Sequence, residues 1–376
     1  MQPLQFHNGN FKIMQIADIQ EIADFSPDTE SLLRCALIRE KPDLAILTGD
    51  QIKGYGVTMH TGDARARAEA VIGKIRAIFD DYQVPFAVLF GNHDVFREVS
   101  KEEQLAMYQK SPYCVGESVT GLTGYGIYHF PIIGSDGKVV FSIYGFDSMG
   151  YAKGTGGYHS LPADQIDWYR KNRDALAEQE GHLVPAIVFQ HIPVPEVYEL
   201  MDEVPKGTKG ALRGACAYAD RYYVLGSKVF PGGFMKENAA IPSDNSGEFD
   251  ALCEKGDVMA LFFGHDHINS FSGLLRGVEV GYTQGCGFNV YGPGIERGVR
   301  VFDIPEENPR AYTHHTLTYR QLIGNTPQRA AKNLLYTYAP SSVSVALDWA
   351  KKAGAVAAVA GVGMGTLAVL AKKMKK

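Results

Sequence analysis

Five short segments of this 376-residue chain end an apolar run in side chains able to ligate a cation. Ile13–Ala17 leads into Asp18-Ile19-Gln20, Leu44–Thr48 into Gly49-Asp50, and Phe86–Phe90 into Gly91-Asn92-His93-Asp94. Further on, Ala186–Gln190 leads into His191, and Leu261–Phe263 into Gly264-His265-Asp266-His267. A mixture of carboxylate, imidazole and amide donors suits divalent ions of hard to borderline character. Taken singly the segments mean little. A lone Gly-Asp is more often a turn or helix cap, and a lone His such as His191 is more often structural. The weight lies in the conjunction of five, because ligands at the carboxyl ends of strands in an α/β sheet converge on one edge. His265 and His267 also fall on the same side of an extended chain, as joint ligation requires. The glycines before Asp50, Asn92 and His265 let the backbone turn sharply and bring the side chains close.

This ladder resembles that of the calcineurin-like metallophosphoesterases: Asp-x-His, Gly-Asp, Gly-Asn-His-Asp/Glu, a lone His, then Gly-His-x-His. The resemblance spans about residues 11–305. Within it, Gly157-Tyr158-His159-Ser160-Leu161-Pro162 and Gln165-Ile166-Asp167-Trp168-Tyr169 look like the branch near purple acid phosphatases that includes Dcr2-type phosphatases. So does Gly264-His265-Asp266-His267-Ile268-Asn269. The resemblance implies an α/β fold, a four-layer αββα sandwich, and hydrolysis of a phosphate ester at a dinuclear metal site with a bridging hydroxide. It places Asp18 and His267 on one ion, Asn92, His191 and His265 on the other, and Asp50 between them. His93 would stabilise the transition state or protonate the leaving alkoxide, with Asp94 holding its ring. Two divalent ions outweigh the charges of Asp18, Asp50 and a hydroxide, so an anionic phosphate is attracted. Ions roughly 3.5–4 Å apart can also activate water and clamp phosphoryl oxygens.

The departure from the family pattern is Gln20, which stands where a His is usual. An amide oxygen is as neutral as imidazole but a harder and weaker ligand. The Asp18 site is therefore expected to bind more weakly and to favour Mn²⁺ or Mg²⁺ over Zn²⁺, with Mn²⁺ placed first and Fe as a further candidate. Gln20 turned away, with water in its place, is the other outcome. The branch resemblance slightly favours a phosphomonoester over a diester. The alternative function is a weakly active or non-catalytic metal-binding scaffold tethered to a membrane.

Positioning these residues requires a sheet with crossover helices. Buried strands are expected at Phe11–Ala17, Leu44–Leu47 and Val84–Phe90, alternating with helices at Asp28–Glu40, capped by Ser26 or Asp28, and at Gly62–Tyr82. Gly126–Ile132 and Lys138–Gly145 read as a strand pair around Gly134-Ser135-Asp136-Gly137. A helix with Pro at its start follows at Pro162–Glu180. Further strands are read at Pro185–Phe189, Val258–Phe263, Gly277–Tyr282, Gly298–Ile304 and Ala311–Thr318. The Gly/Pro-rich stretch Val204–Pro242 reads as a long insertion or lid, and His314-His315 as exposed. The expected organisation is a catalytic domain over 1–320, a linker and polar helix over 321–352, and an apolar tail helix with a basic end over 353–376.

Apolar residues at 45 % and charged residues at 21 % allow a full core, and a net charge of −5 argues against nonspecific binding of nucleic acid. The partner expected is a phosphorylated substrate. Five scattered cysteines, an odd number without a CxxC pair, argue against a disulfide framework or structural zinc and for a reducing compartment. Met1 to Phe11 carries no secretory signature. Ala353–Ala371 is uncharged between lysines, long enough as a helix to match a hydrocarbon core. It reads as a membrane anchor or a buried hairpin partner. The expected location is cytoplasmic, with membrane association through this tail.

Overall fold

The computed structural model describes residues 3–56, 59–60, 62–152, 154 and 157–339. The chain begins with β1 (Asn10–Ile16), α1 (Pro27–Glu40), β2 (Leu44–Thr48), α2 (Ala64–Tyr82), β3 (Phe86–Leu89) and α3 (Lys101–Tyr108). It continues with β4 (Tyr128–Ile133), β5 (Val139–Gly145), α4 (Ala163–Glu180) and β6 (Ala186–Phe189). Strand β7 (Met201–Val204) leads into the stretch read as an insertion, which holds β8 (Leu212–Arg213), β9 (Tyr222–Leu225) and β10 (Phe234–Met235). After α5 (Glu248–Cys253) come β11 (Val258–Phe263), β12 (Asn269–Ser270), β13 (Ser272–Leu275) and β14 (Val278–Tyr282). The described chain closes with β15 (Gly298–Pro305), β16 (Thr313–Thr318), α6 (Tyr319–Leu322) and α7 (Ala330–Thr337).

Two large sheets result, a mixed α/β architecture. One has the order β16-β15-β1-β2-β3 and the other β13-β14-β11-β6-β5-β4. Strands β1, β2 and β3 run parallel, as do β5, β6, β11 and β14. Both faces of the central strands are covered, and this is why they read as continuous apolar runs rather than alternating ones. Alternate residues nonetheless divide between two layers. Ile13, Leu44, Ile46, Ala87 and Leu89 meet Phe141, Ile143, Ile187, Ala260 and Phe262 of the other sheet in a shared core. Their neighbours Met14, Ile16, Ala45, Leu47 and Val88 face the other way, onto apolar residues of α1 and α2. On the second sheet, Val188, Leu261 and Phe263 pack against Tyr169 of α4 and Phe249 of α5.

Local sequence explains the helix starts. Ser26 accepts from the Asp28 N–H at 3.3 Å, and Pro27 occupies the first turn, where its missing N–H costs nothing. Helix α3, absent from the sequence expectations, has a full capping box. The Glu103 N–H donates to Ser100 Oγ, and the Ser100 N–H donates to Glu103 Oε2.

Three expectations need revision or fall outside what is described. His314 is not free: its ring lies 2.7 Å from Glu279 and 2.8 Å from the buried Arg300 guanidinium. The first compact unit runs Met1–Thr337, so α6 and α7 belong to it. Among the described residues no helix is long and apolar enough to cross a membrane. The apolar run 353–371 and its basic end lie outside the described residues.

Candidate metal centre

The five ligand-bearing segments meet where the carboxyl ends of β1, β2 and β3 face those of β6 and β11. Asp18, Asp50 and His265 all adopt left-handed backbone, at φ 53°, 56° and 73°, a conformation costly for residues with a Cβ. Gly49, at φ 95°, is forced: a Cβ there would lie 2.5 Å from the His191 ring. At Gly91 the reason is proximity, since a Cβ would lie 2.1 Å from Asp50 Oδ1.

Two clusters share Asp50. Ligand atoms of Asp50, His191 and His265 lie within 4.8 Å of one another, as do those of Asp18, Asp50 and His267, and every one of these residues is buried. Asn92 joins the first cluster. His191 Nδ1–H donates to the Thr48 carbonyl at 2.9 Å, which turns Nε2 inward. That nitrogen faces Asn92 Oδ1 at 3.1 Å, His265 Nδ1 at 3.2 Å and Asp50 Oδ2 at 3.4 Å. A buried convergence of acceptors is unfavourable until a cation sits among them. Without a metal ion, a proton on His191 meets part of that need. Burial opposes a charge on His191, but Asp50 overcomes it and lifts the imidazole to about 9. Burial likewise opposes ionisation of Asp50, yet His191 and His93 hold its carboxyl well below the usual range.

The second cluster is arranged differently. His267 Nδ1–H donates to the Tyr291 carbonyl at 2.9 Å, and its ring stacks on Tyr291 at 4.2 Å. Its Nε2 points to Asp18 Oδ1 at 3.4 Å. Asp18 Oδ1 is buried and has no hydrogen-bond partner among the described residues, so it is open to a cation. Gln20, however, turns its amide nitrogen inward. Nε2 donates to Asp50 Oδ2 at 2.7 Å and lies 3.1 Å from His267 Nε2, while Tyr55 Oη donates to Gln20 Oε1 at 3.2 Å. An N–H cannot ligate, so the expectation of a Gln20 oxygen on the ion is not what this arrangement presents. The hydroxyl of Tyr55 gives that oxygen another partner.

His93 reaches this centre without joining either cluster. Its Nε2 is 3.9 Å from Asp50 Oδ2, and its ring lies 4.3 Å from that of Tyr55. Burial lowers its pKa from the ordinary imidazole value, with Asp50 opposing. Asp94 does not hold the His93 ring, and this corrects the expectation. Its carboxylate accepts from the backbone N–H groups of Asp50 at 2.7 Å, Gly91 at 2.9 Å and Ile52 at 3.0 Å. It is a positioning residue for the Asp50 and Asn92 turns. Sequence reasoning also missed Tyr55, Tyr291 and Glu237. The Glu237 carboxylate accepts from Tyr291 Oη at 2.9 Å and from the Ile268 N–H at 2.7 Å, bracing the His267 turn. None of the three sits in a spaced motif.

The profile of the calcineurin-like phosphoesterase family matches residues 11–269. The chain is 26% identical over 338 residues to probable inactive purple acid phosphatase 14 of Arabidopsis thaliana, covering 80% of this chain and 76% of that protein. It is 29% identical over 339 residues to probable inactive purple acid phosphatase 28 of the same plant, with 80% and 77% covered. With phosphatase DCR2 of Saccharomyces cerevisiae it shares 25% identity over 362 residues, 85% of this chain and 57% of that one.

Proposed function

Because the chain belongs to the calcineurin-like phosphoesterase family and so is a phosphate-ester hydrolase, we propose that it works with two divalent ions and prefers a phosphomonoester to a diester. The observation that carries this reading is the convergence of His191 Nε2, His265 Nδ1, Asn92 Oδ1 and Asp50 Oδ2, four buried atoms that a single cation reconciles. Asp50, Asn92, His191 and His265 would hold one ion, and Asp18, Asp50 and His267 the other. When bound, such ions supply Lewis acidity, water activation and a charge clamp for phosphoryl oxygens. The donor set fits them, since imidazole, carboxylate and amide oxygen suit Mn²⁺ as well as Fe, Zn or Mg. The chain's own contribution is to fix these donors on rigid strand ends and to place the His93 imidazole where it can hand a proton to a leaving oxygen. The facing sheets with helices on their outer faces support reading the fold as a four-layer αββα sandwich.

Gln20 favours a second reading, a chain that keeps one ion and turns over little or no ester. Its amide nitrogen occupies the place expected of a ligand, and two relatives of similar length are named as probable inactive phosphatases. The purified chain, supplied with Mn²⁺, should hydrolyse p-nitrophenyl phosphate faster than bis-p-nitrophenyl phosphate, with two ions per chain by elemental analysis. No turnover of either ester together with one ion per chain establishes the second reading. A cytoplasmic location with membrane contact through residues 353–371 belongs to the same proposal, supported by five unpaired thiols and the apolar run. Fractionation with and without that segment tests it.

A further inference from the structure

A cavity of about 830 Å³ has Asn92 and His93 in its lining, beside the metal centre. That is within the size range of pockets for drug-sized molecules, roughly 300–1,000 Å³, and far more than a phosphate group needs. Its wall includes Tyr55, Val95, Phe96, Tyr125, Met149 and Tyr151. Four of these are large apolar side chains left open to solvent: Val95 at 58 %, Tyr151 at 56 %, Tyr55 at 48 % and Tyr125 at 38 %. Apolar exposure gathered at one concavity marks a binding surface, unlike single exposed residues scattered over a protein. Arg97, His60, His159 and Lys101 also line the cavity, Lys101 with Nζ 2.7 Å from both Asp147 carboxylate oxygens, but apolar and aromatic side chains form most of its wall. Aromatic faces and a thioether favour an aromatic occupant.

His93 joins the two regions. Its Nε2 approaches Asp50 Oδ2 at 3.9 Å, and its ring lies 4.3 Å from Tyr55 and 5.9 Å from Tyr151, both in the cavity wall. An ester oxygen seated beside His93 carries its organic part into the cavity.

We propose that this cavity is the leaving-group subsite and that the substrate is the phosphomonoester of a bulky aromatic alcohol of small-molecule size. The proposal rests on the phosphoesterase reading above. Hydrolysis breaks the bond between phosphorus and the aryl oxygen, and water supplies the new oxygen on phosphorus. One proton of the water ends on the aryl oxide and the other stays on the new phosphate oxygen. The products are inorganic phosphate and the free phenol.

The test compares kcat/KM of the Mn²⁺-loaded full chain on 2-naphthyl phosphate and phenyl phosphate. Their leaving groups are similar in acidity, so the ratio reports bulk. The ratio should favour naphthyl on the order of 10-fold, the scale of added apolar contact in a pocket. Val95→Asp, a change at an exposed position, should bring the ratio close to one and weaken binding of 2-naphthol, followed by its fluorescence, by a similar factor. Equal kcat/KM for both esters on the unaltered chain, or a preference that survives Val95→Asp, overturns the assignment. A phosphotyrosyl peptide turned over better than naphthyl phosphate overturns the small-molecule size. If no ester is hydrolysed, the phosphoesterase reading fails. The cavity's aromatic preference then stands if Val95→Asp abolishes 2-naphthol binding, and falls if the unaltered chain does not bind 2-naphthol.

Discussion

The two halves of the metal centre share Asp50 and differ in what faces it. Around His191, Asn92 and His265 the inward atoms can all present lone pairs to one point, which a metal ion would reconcile. Around Asp18 and His267 the Gln20 amide already donates into Asp50, and Tyr55 occupies the amide oxygen. In the first half a proton on His191, paired with Asp50, stands where a metal ion would bind. The second is largely satisfied by hydrogen bonds of its own, with Asp18 Oδ1 as its unpartnered oxygen. A buried polar group costs free energy in proportion to how poorly it is paired, so the gain on binding an ion is larger in the first half. On the two-ion reading proposed above, an amide at position 20 would make the Asp18/His267 half the weaker of the two sites.

The largest effect expected is that of Asp50→Asn, which touches both halves. It should lower kcat/KM at least ~10³-fold, about 4 kcal/mol of transition-state stabilisation. Elemental analysis should find both ions reduced; full retention of either breaks the claim that the halves share this residue. Next comes Asp94→Ala, which leaves the N–H groups of Asp50, Ile52 and Gly91 without their acceptor. At about 1 kcal/mol for each, some 3 kcal/mol of stability should be lost in denaturant unfolding. A loss confined to activity, at unchanged stability, would instead return Asp94 to the role of holding His93. Gln20→His should tighten the Asp18/His267 half alone, roughly 10–100-fold by calorimetric titration, and keep or raise activity. Collapse of activity in that variant would mean that Gln20 has a specific role beyond weak ligation. Tyr55→Phe is the finest probe. Freeing the amide oxygen should shift affinity of the same half by about 1 kcal/mol, a few-fold. No shift at all would mean that Tyr55 does not set the amide's direction.

Much of the sheet framework was legible because its strands are covered on both faces and so spell uninterrupted apolar runs. Helix α3 announces itself in sequence only through Ser100 and Glu103 at capping-box spacing, because its eight residues are too few to show a clear apolar period. His314 was misread because its partners, Arg300 and Glu279, lie on other strands and give no local pattern. The small strands of the 204–242 region follow no alternation that distinguishes them from a loop.

What the sequence by itself determined is the set of candidate donors and their order along the strand ends: Asp18, Asp50, Asn92, His191, His265 and His267. Each follows an apolar strand, and parallel strands deliver whatever follows them to one edge. It also determined that Gln20 would be the odd member. Only the tertiary structure decided which way that amide faces and where the Asp94 carboxylate goes. A rotatable amide or carboxylate takes the partners that distant segments bring within about 3 Å, and local spacing does not record those partners. For Gln20 they are Tyr55, Asp50 and His267; for Asp94 they are three backbone N–H groups on the turns it ties together.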